Sequence, residues 1–145
     1  MSNINVIVTD CDGVLTDGKT WMTQHGEISK GFNTRDVSAI REMISMGYEV
    51  YIVTASSWPG TEKWAKKTGA TVLYLRDKQK VKDLIGNKAY IAVGDDVWDF
   101  GLLKGAYRSF CPSDSLEAIK ATKGVTILKT EGGKGVMAEL LKHLE

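Results

Sequence analysis

Residues able to do chemistry stand in this chain at the ends of its apolar runs. Asp10, Cys11, Asp12 and Gly13 follow a run over residues 4–9, and Thr54 ends a run over 48–54. Asp77 and Lys78 follow 70–75, while Gly94, Asp95 and Asp96 follow 88–93, with Asp99 a helical step later. If these runs are strands, alternation puts Asp10 and Asp12 on one side and turns Cys11 away. Carboxylates gathered within a few ångströms repel one another and cannot all stay ionised without a counter-charge. Oxygen ligands, with no suitable histidine and few thiols, point to magnesium, which takes one or two carboxylates, keeps waters and completes its shell with phosphate oxygens. A metal, a lysine and a hydroxyl suit a phosphoryl group in flight, whose charge spreads over its equatorial oxygens. One of two carboxylates two residues apart can attack phosphorus and form an aspartyl phosphate. The other, held protonated by acidic neighbours, can give a proton to the leaving alcohol and later take one from water. Spacing alone leaves open which aspartate does which. Singly, an Asp-x-Asp pair is a common turn, a threonine after a strand is a common helix cap, and a lone lysine is usually solvated. Their joint occurrence at successive strand ends favours a site.

The framework that must hold these residues is a repeated unit: a polar cap, an amphipathic helix, a glycine where the helix stops, then a short β-rich run. Asp36 can cap a helix with Val37, Ile40, Met43 and Ile44 on its apolar stripe, ended by Gly47 before 48–54. Ser57, with Pro59 in the first turn, opens a helix that Gly69 closes before 70–75. Asp77 opens the next, with Val81, Leu84 and Ile85 inward and Gly86 at its end. Residues 113–115 begin another, closed by Gly124 before 125–128, and 135–144 reads as a last helix. Helices alternating with apolar strands predict an α/β fold: a Rossmann-like parallel sheet covered by helices on both faces. In such sheets ligands bind beyond the carboxyl ends of the strands, where the residues above stand. Residues 19–33 break the pattern and read as a β-hairpin flap after the first strand, turning at Gln24-His25-Gly26. Its Trp21, Met22, Ile28 and Phe32 are more apolar surface than a hairpin can hide, which suggests a contact with another chain; folding back on its own domain is the alternative.

Composition narrows the classes. The chain has 145 residues, 43% apolar and 26% charged, with a formal charge of +1. That reads as one domain over 1–145, large enough to fold without disulfides or a structural metal. Near-neutral charge without a basic block argues against nucleic acid. No apolar run reaches the roughly 18 residues of a membrane span, and the start, Met1-Ser2-Asn3-Ile4-Asn5, carries no leader pattern, so a cytoplasmic protein is expected. Cys11 and Cys111 match no metal-ligand spacing and read as buried thiols, and His25 and His143 as surface residues.

Asp10-Cys11-Asp12-Gly13-Val14-Leu15-Thr16-Asp17-Gly18, Thr54, Lys78 and Gly94-Asp95-Asp96-Val97-Trp98-Asp99 resemble, in order, the four motifs of the haloacid dehalogenase superfamily of phosphohydrolases. The hairpin, Phe32-Asn33-Thr34-Arg35-Asp36 and Gly132-Gly133-Lys134-Gly135 are similar to a narrower group, the capless 3-deoxy-D-manno-octulosonate 8-phosphate phosphatases and their sialic-acid-pathway relatives. The resemblance implies that Asp10 is the nucleophile and Asp12 the general acid/base. It also implies that Asp10, the Asp12 carbonyl and Asp95 hold Mg2+, that Thr54 and Lys78 hold the phosphate, and that Asp96 and Asp99 support the site. Gly13, Ala55, Ser56, Arg35 and Lys134 become the substrate-binding candidates, Lys134 beside a sugar carboxylate. The implied substrate is a phosphorylated sugar acid, of octulosonate 8-phosphate or nononate 9-phosphate type, and the implied assembly a homotetramer whose neighbouring subunit closes the site. Ala55 and Ser56 depart from the glycine and arginine usual there, which implies the loss of a substrate-binding cation. Val37 replaces a usual glycine, and Trp98 a residue that is often asparagine.

Two other classes compete. A receiver module of a phosphorelay shares carboxylates, threonine, lysine and magnesium, but carries its acceptor aspartate alone on a middle strand, after an acidic pair. Here Asp12 lies two residues from Asp10 and the acidic pair follows Lys78, an order that favours turnover. An inactive assembly domain partnering a sugar nucleotidyltransferase would have no need of every charged position retained here.

Overall fold

A computed structural model describes residues 3–144; Met1 and Ser2, part of the start read above, lie outside the described residues. Six strands form one parallel sheet: β1 (Val6–Asp10), β4 (Glu49–Thr54), β5 (Thr71–Tyr74), β6 (Ile91–Val93), β7 (Arg108–Cys111) and β8 (Val125–Ile127), in the order β5-β4-β1-β6-β7-β8. A separate antiparallel pair joins β2 (Trp21–Met22) to β3 (Ile28–Ser29). The helices are α1 (Thr34–Ser45), α2 (Pro59–Thr68), α3 (Val81–Leu84), α4 (Phe100–Lys104), α5 (Glu117–Lys120) and α6 (Val136–Leu144). Side chains of β1 alternate between two cores. Ile7 joins Ile40 and Met43 of α1, Trp64 of α2 and Met137 and Leu140 of α6. Val6 and Val8 join Val81, Leu102, Leu103 and Ile119 from α3, α4 and α5 on the other face. A strand buried on both faces is apolar at every position but its functional end, which is how Val6–Thr9 reads. Register then builds the site: Asp10 lies opposite Val53 of β4, and Thr9 opposite Val93 of β6. Asp10, Thr54 and Gly94 therefore emerge at the same sheet edge, and the chain order reverses at β1, where a crevice opens in such sheets.

Several expectations are corrected by longer-range packing. Asn33, not Asp36, caps α1, accepting from the Arg35 N–H at 2.8 Å. Trp58, not Ser57, holds the position before α2 and gives no side-chain cap. Leu84, expected inward, is 51% exposed, because the helix after Asp77 is a 3-10 turn, Lys78–Lys80, followed by only Val81–Leu84. The helix expected from 113–115 begins at Glu117. Strand β7, too short and mixed to be read, and α4 before it complete the sheet.

Asp36 is buried, and its Oδ1 accepts from the Met137 N–H at 3.0 Å while Oδ2 has no partner. Burial pushes its carboxyl up to about 6 from 3.8, against the pull of the Ala138 and Met137 N–H groups. The folded carboxyl thus binds its proton more tightly than the unfolded one, so its contribution is most favourable below about pH 4 and is lost as the pH rises through about 6. Asp36→Asn keeps an acceptor for Met137 and removes the titration. Its stability relative to the parent chain, read from urea unfolding, should improve by about 2–3 kcal/mol between pH 4 and pH 7.

The hairpin is shorter than 20–23 with 28–32, and it is anchored at its base. Phe32 stacks on Trp64 at 4.4 Å between ring centroids and on Trp58 at 6.3 Å. Phe32 is therefore covered within the chain, whereas Trp21 and Met22 are 67% and 66% exposed. Among the described residues, no helix is long and apolar enough to cross a membrane.

Candidate active site

At the carboxyl edge of β1, β4, β5 and β6 lies a cleft of about 420 Å³. Of the residues singled out above, Asp10, Asp12, Thr54, Ala55, Ser56, Lys78, Asp95 and Asp96 line it, together with Trp98 and Arg76. Asp10 closes β1, and Lys78 reaches it from the 3-10 turn after β5, donating to Asp10 Oδ1 and to Asp99 Oδ1 at 2.7 Å each. Asp99 lies behind the lysine in a 3-10 turn, Val97–Asp99, where its Oδ2 accepts from the N–H groups of Asp95 at 2.9 Å and Asp96 at 3.2 Å. The Thr54 hydroxyl oxygen accepts from the Ser56 N–H at 3.1 Å, which turns the chain at the end of β4.

Asp12 shares the cleft with Asp10, and Cys11 points into the core, as alternation requires. Burial pushes the Cys11 thiol up to about 12, and both cysteines are free and buried. What touches Asp12, however, is not the expected acidic neighbour. Lys30 Nζ, from the base of the hairpin, donates to Asp12 Oδ2 at 3.0 Å, and the Thr16 hydroxyl donates to Oδ1 at 3.2 Å. Lys30 was not legible as a site residue, because only folding brings the hairpin over the end of β1.

Three other candidates stand apart from the cleft surface. Gly13 is there for space: at φ +87° a side chain is strained, and a Cβ would lie 1.8 Å from Asp95 Oδ2. Arg35 and Lys134 line a different recess, of about 550 Å³ beside α6, so within this chain neither reaches the cleft. The glycine segment instead supports the loop after β1: Gly133 N–H donates to Val14 O at 3.0 Å, and a Cβ on Gly132 would lie 2.0 Å from Gly13 O. Arg76, missed in the sequence, reaches the cleft two residues ahead of Lys78.

Burial, and next the Asp99 carboxylate, push the Asp10 carboxyl well above the ordinary range, while Lys78 pulls the other way. Burial raises Asp95 to about 6. For Lys78, burial acts downward, but the carboxylates of Asp10 and Asp99 outweigh it and hold the ammonium protonated. Two features fit a cation here. Carboxylate oxygens of Asp10, Asp95 and Asp99 lie within 4.8 Å of one another, and Asp95 Oδ1 is buried without a hydrogen-bond partner. The donors are hard oxygens, the set that magnesium takes.

No protein-family model matches the chain. The 3-deoxy-D-manno-octulosonate 8-phosphate phosphatase KdsC of Escherichia coli (strain K12) is 30% identical over 148 residues, which cover 95% of this chain and 77% of that protein. The cobalt-bound deoxy-D-mannose-octulosonate 8-phosphate phosphatase of Haemophilus influenzae superposes with a TM-score of 0.88 at 25% identity, over 98% of this chain and 87% of that one. The corresponding Moraxella catarrhalis enzyme, solved with magnesium, phosphate and KDO, has the same fold, with a TM-score of 0.89 at 22% identity over 97% of this chain and 85% of that one. With the motif residues at one sheet edge and nearly the whole chain aligned at that identity, the chain belongs to the 3-deoxy-D-manno-octulosonate 8-phosphate phosphatase family, and it shares its fold with a HAD family hydrolase of Streptomyces avermitilis.

Proposed function

We propose that this chain is a magnesium-dependent phosphomonoesterase that works through an aspartyl phosphate and takes a 2-keto-3-deoxy sugar acid phosphate, of octulosonate 8-phosphate or nononate 9-phosphate type. The observation that carries this reading is the Lys78 ammonium, bonded to Asp10 and Asp99 at 2.7 Å each on the wall of a cleft that Thr54 and Asp95 also line. Asp10, Asp95 and the Asp12 carbonyl would hold Mg2+; both oxygens of Asp99 are already engaged, so it acts as a support. Bound there, the metal supplies positive charge that lowers the repulsion between Asp10 and a phosphate dianion.

Asp10 is the nucleophile, with Lys78 fixing its rotamer. Its free oxygen forms a bond to phosphorus as the ester oxygen leaves, and Asp12 gives that oxygen a proton. Water then attacks the aspartyl phosphate, its proton passes to Asp12, and inorganic phosphate departs with Asp10 restored. Thr54 and Lys78 hold the phosphoryl oxygens. Lys30 orients Asp12 in the free chain; substrate entry at Asp12 displaces that ion pair, and Asp12 takes a proton from solvent before it serves as the acid.

Phosphate release from phosphorylated 2-keto-3-deoxy acids, ranked against hexose phosphates by kcat/KM, tests the reading; preference for the hexose phosphates would overturn the substrate class. Excess chelator should abolish release, and added magnesium should restore it. The circular dichroism spectrum should stay unchanged, because the apolar cores do not involve the metal site. A phosphoenzyme lasting hours would favour the receiver alternative, since the Asp12 placement predicts sub-second turnover.

The exposed Trp21 and Met22 support a homotetramer in which a neighbouring hairpin closes the cleft and brings Arg35 or Lys134 to it. Sedimentation of the chain and of Trp21→Ser would test this: a monomeric parent chain defeats it. Free, buried thiols fit a reducing cytoplasm.

A further inference from the structure

Lys78, one of the two cations on the cleft wall, is shared between Asp10 and Asp99 at 2.7 Å each. Lys30, beyond that wall, is tied to Asp12. Arg76 is the other wall cation, and it is different: it is exposed at the rim, and among the described residues its guanidinium has no hydrogen-bond or ion-pair partner. The same side chain lines a second recess, of about 560 Å³, which shares Arg76, Lys78 and Trp98 with the cleft. The two hollows meet along these residues. Trp98, beside Arg76 on both, is 74% exposed and offers a flat apolar face with nothing packed over most of it. An unpaired guanidinium and a bare indole at the mouth of an otherwise acidic cleft are what a ligand with an anionic end and a C–H face would meet.

We propose that Arg76 is the specificity-determining cation of this site and that it binds the carboxylate of the substrate, with Trp98 carrying the sugar's C–H face; the proposal rests on the sugar acid phosphate reading given above. The reacting phosphoryl group must lie against Asp10, Lys78 and Thr54, which leaves the acid end of the same molecule to extend along the wall to the rim. A guanidinium presents parallel N–H donors that match both oxygens of a carboxylate, and a lysine in its place would offer only a point charge. Arg76 stands two residues before Lys78 in the chain, so one short segment after β5 holds both ends of the substrate: the lysine its phosphate and the arginine its carboxylate.

The experiment compares the parent chain, Arg76→Ala and Arg76→Lys, all loaded with magnesium. The substrates are a phosphorylated 2-keto-3-deoxy sugar acid and p-nitrophenyl phosphate, which has no carboxylate. Calorimetric binding of the unphosphorylated sugar acid is the second readout. In Arg76→Ala the ratio of kcat/KM for the acid over p-nitrophenyl phosphate should fall about 10- to 100-fold, the loss of one charge-assisted pair, and it should fall through KM. Affinity for the free sugar acid should fall by a similar factor, and Arg76→Lys should recover part of both. An unchanged ratio overturns the assignment, and so does an equal loss on the two esters, which would put the guanidinium on the phosphoryl group. If the parent chain released phosphate from neither ester, the phosphatase reading itself would fail. The calorimetric arm would still decide Arg76: sugar-acid affinity that is absent, or indifferent to the substitution, removes it from the site.

Discussion

Asp10→Asn should leave a folded chain that releases phosphate at least about 10⁴-fold more slowly, the scale on which enzymes lose activity when a covalent nucleophile is removed. The substitution is close to isosteric, and an asparagine Oδ1 can still accept from Lys78, which keeps Asp99 as its second partner. What it lacks is an anionic oxygen able to form the phosphoryl ester. Two measurements separate loss of the nucleophile from loss of the fold: phosphate release under single-turnover conditions, and acid-quenched incorporation of radiolabelled phosphate into the chain. The parent should show transient label and the variant none. Label on Asp10→Asn, or residual turnover within a hundredfold of the parent, would move the nucleophile elsewhere, with Asp12 the next carboxylate in reach.

Lys78→Ala is expected to cost both stability and rate, because one ammonium serves two buried carboxylates. Removing one partner of a buried ion pair leaves an uncompensated charge, which destabilises by about 3–5 kcal/mol. Asp10, already pushed above the ordinary range by burial, then takes up a proton more readily still in the folded state. The folded variant therefore binds protons more tightly than its unfolded chain, so the deficit should be largest at neutral pH and shrink as the pH falls. Urea unfolding at pH 7 and pH 5 reads this directly, and a deficit independent of pH would show that lost packing, not charge, is responsible. Activity should fall by a further factor of about 10²–10³ where the variant is still folded, the worth of one preorganised contact to a phosphoryl oxygen. If Lys78→Ala lost stability but kept its rate, the lysine would be a structural counter-ion and not a phosphate ligand.

Asp10, Thr54, Lys78 and Asp95 were legible in the sequence because each stands at or just beyond the end of a mostly apolar run, and a parallel sheet delivers the ends of such runs to one edge. The pairing of Asp10 with Asp12 came from strand alternation. Alternation carries no such signal for Arg76, which follows the end of β5 in irregular backbone and precedes the 3-10 turn that holds Lys78. Other features depend on contacts that no local pattern carries. Asp36 looks like a helix cap, yet Asn33 three residues upstream has the right backbone for that place, and Asp36 is claimed by the start of a helix about a hundred residues away. Lys30 reaches Asp12 from the base of the hairpin, two residues before Phe32, which stacks on Trp64 of α2, so the contact depends on how the hairpin seats on the domain. Strand β7 went unread because Arg108-Ser109-Phe110-Cys111 is short and carries a charged and a polar residue, and it becomes a strand by pairing with β6 and β8 on either side.

The fit of Gly132 against the carbonyl of Gly13 ties the two segments' histories together. Neither can drift alone: a methyl group at 132 would push the backbone that carries Asp12, and a shifted 13–17 turn would lose the N–H that Gly133 supplies to Val14. Across relatives, substitutions in the two stretches should therefore arise as matched pairs. Recombining this chain with a cousin at a crossover between them should yield hybrids that fold but turn over poorly, until both pieces come from the same parent.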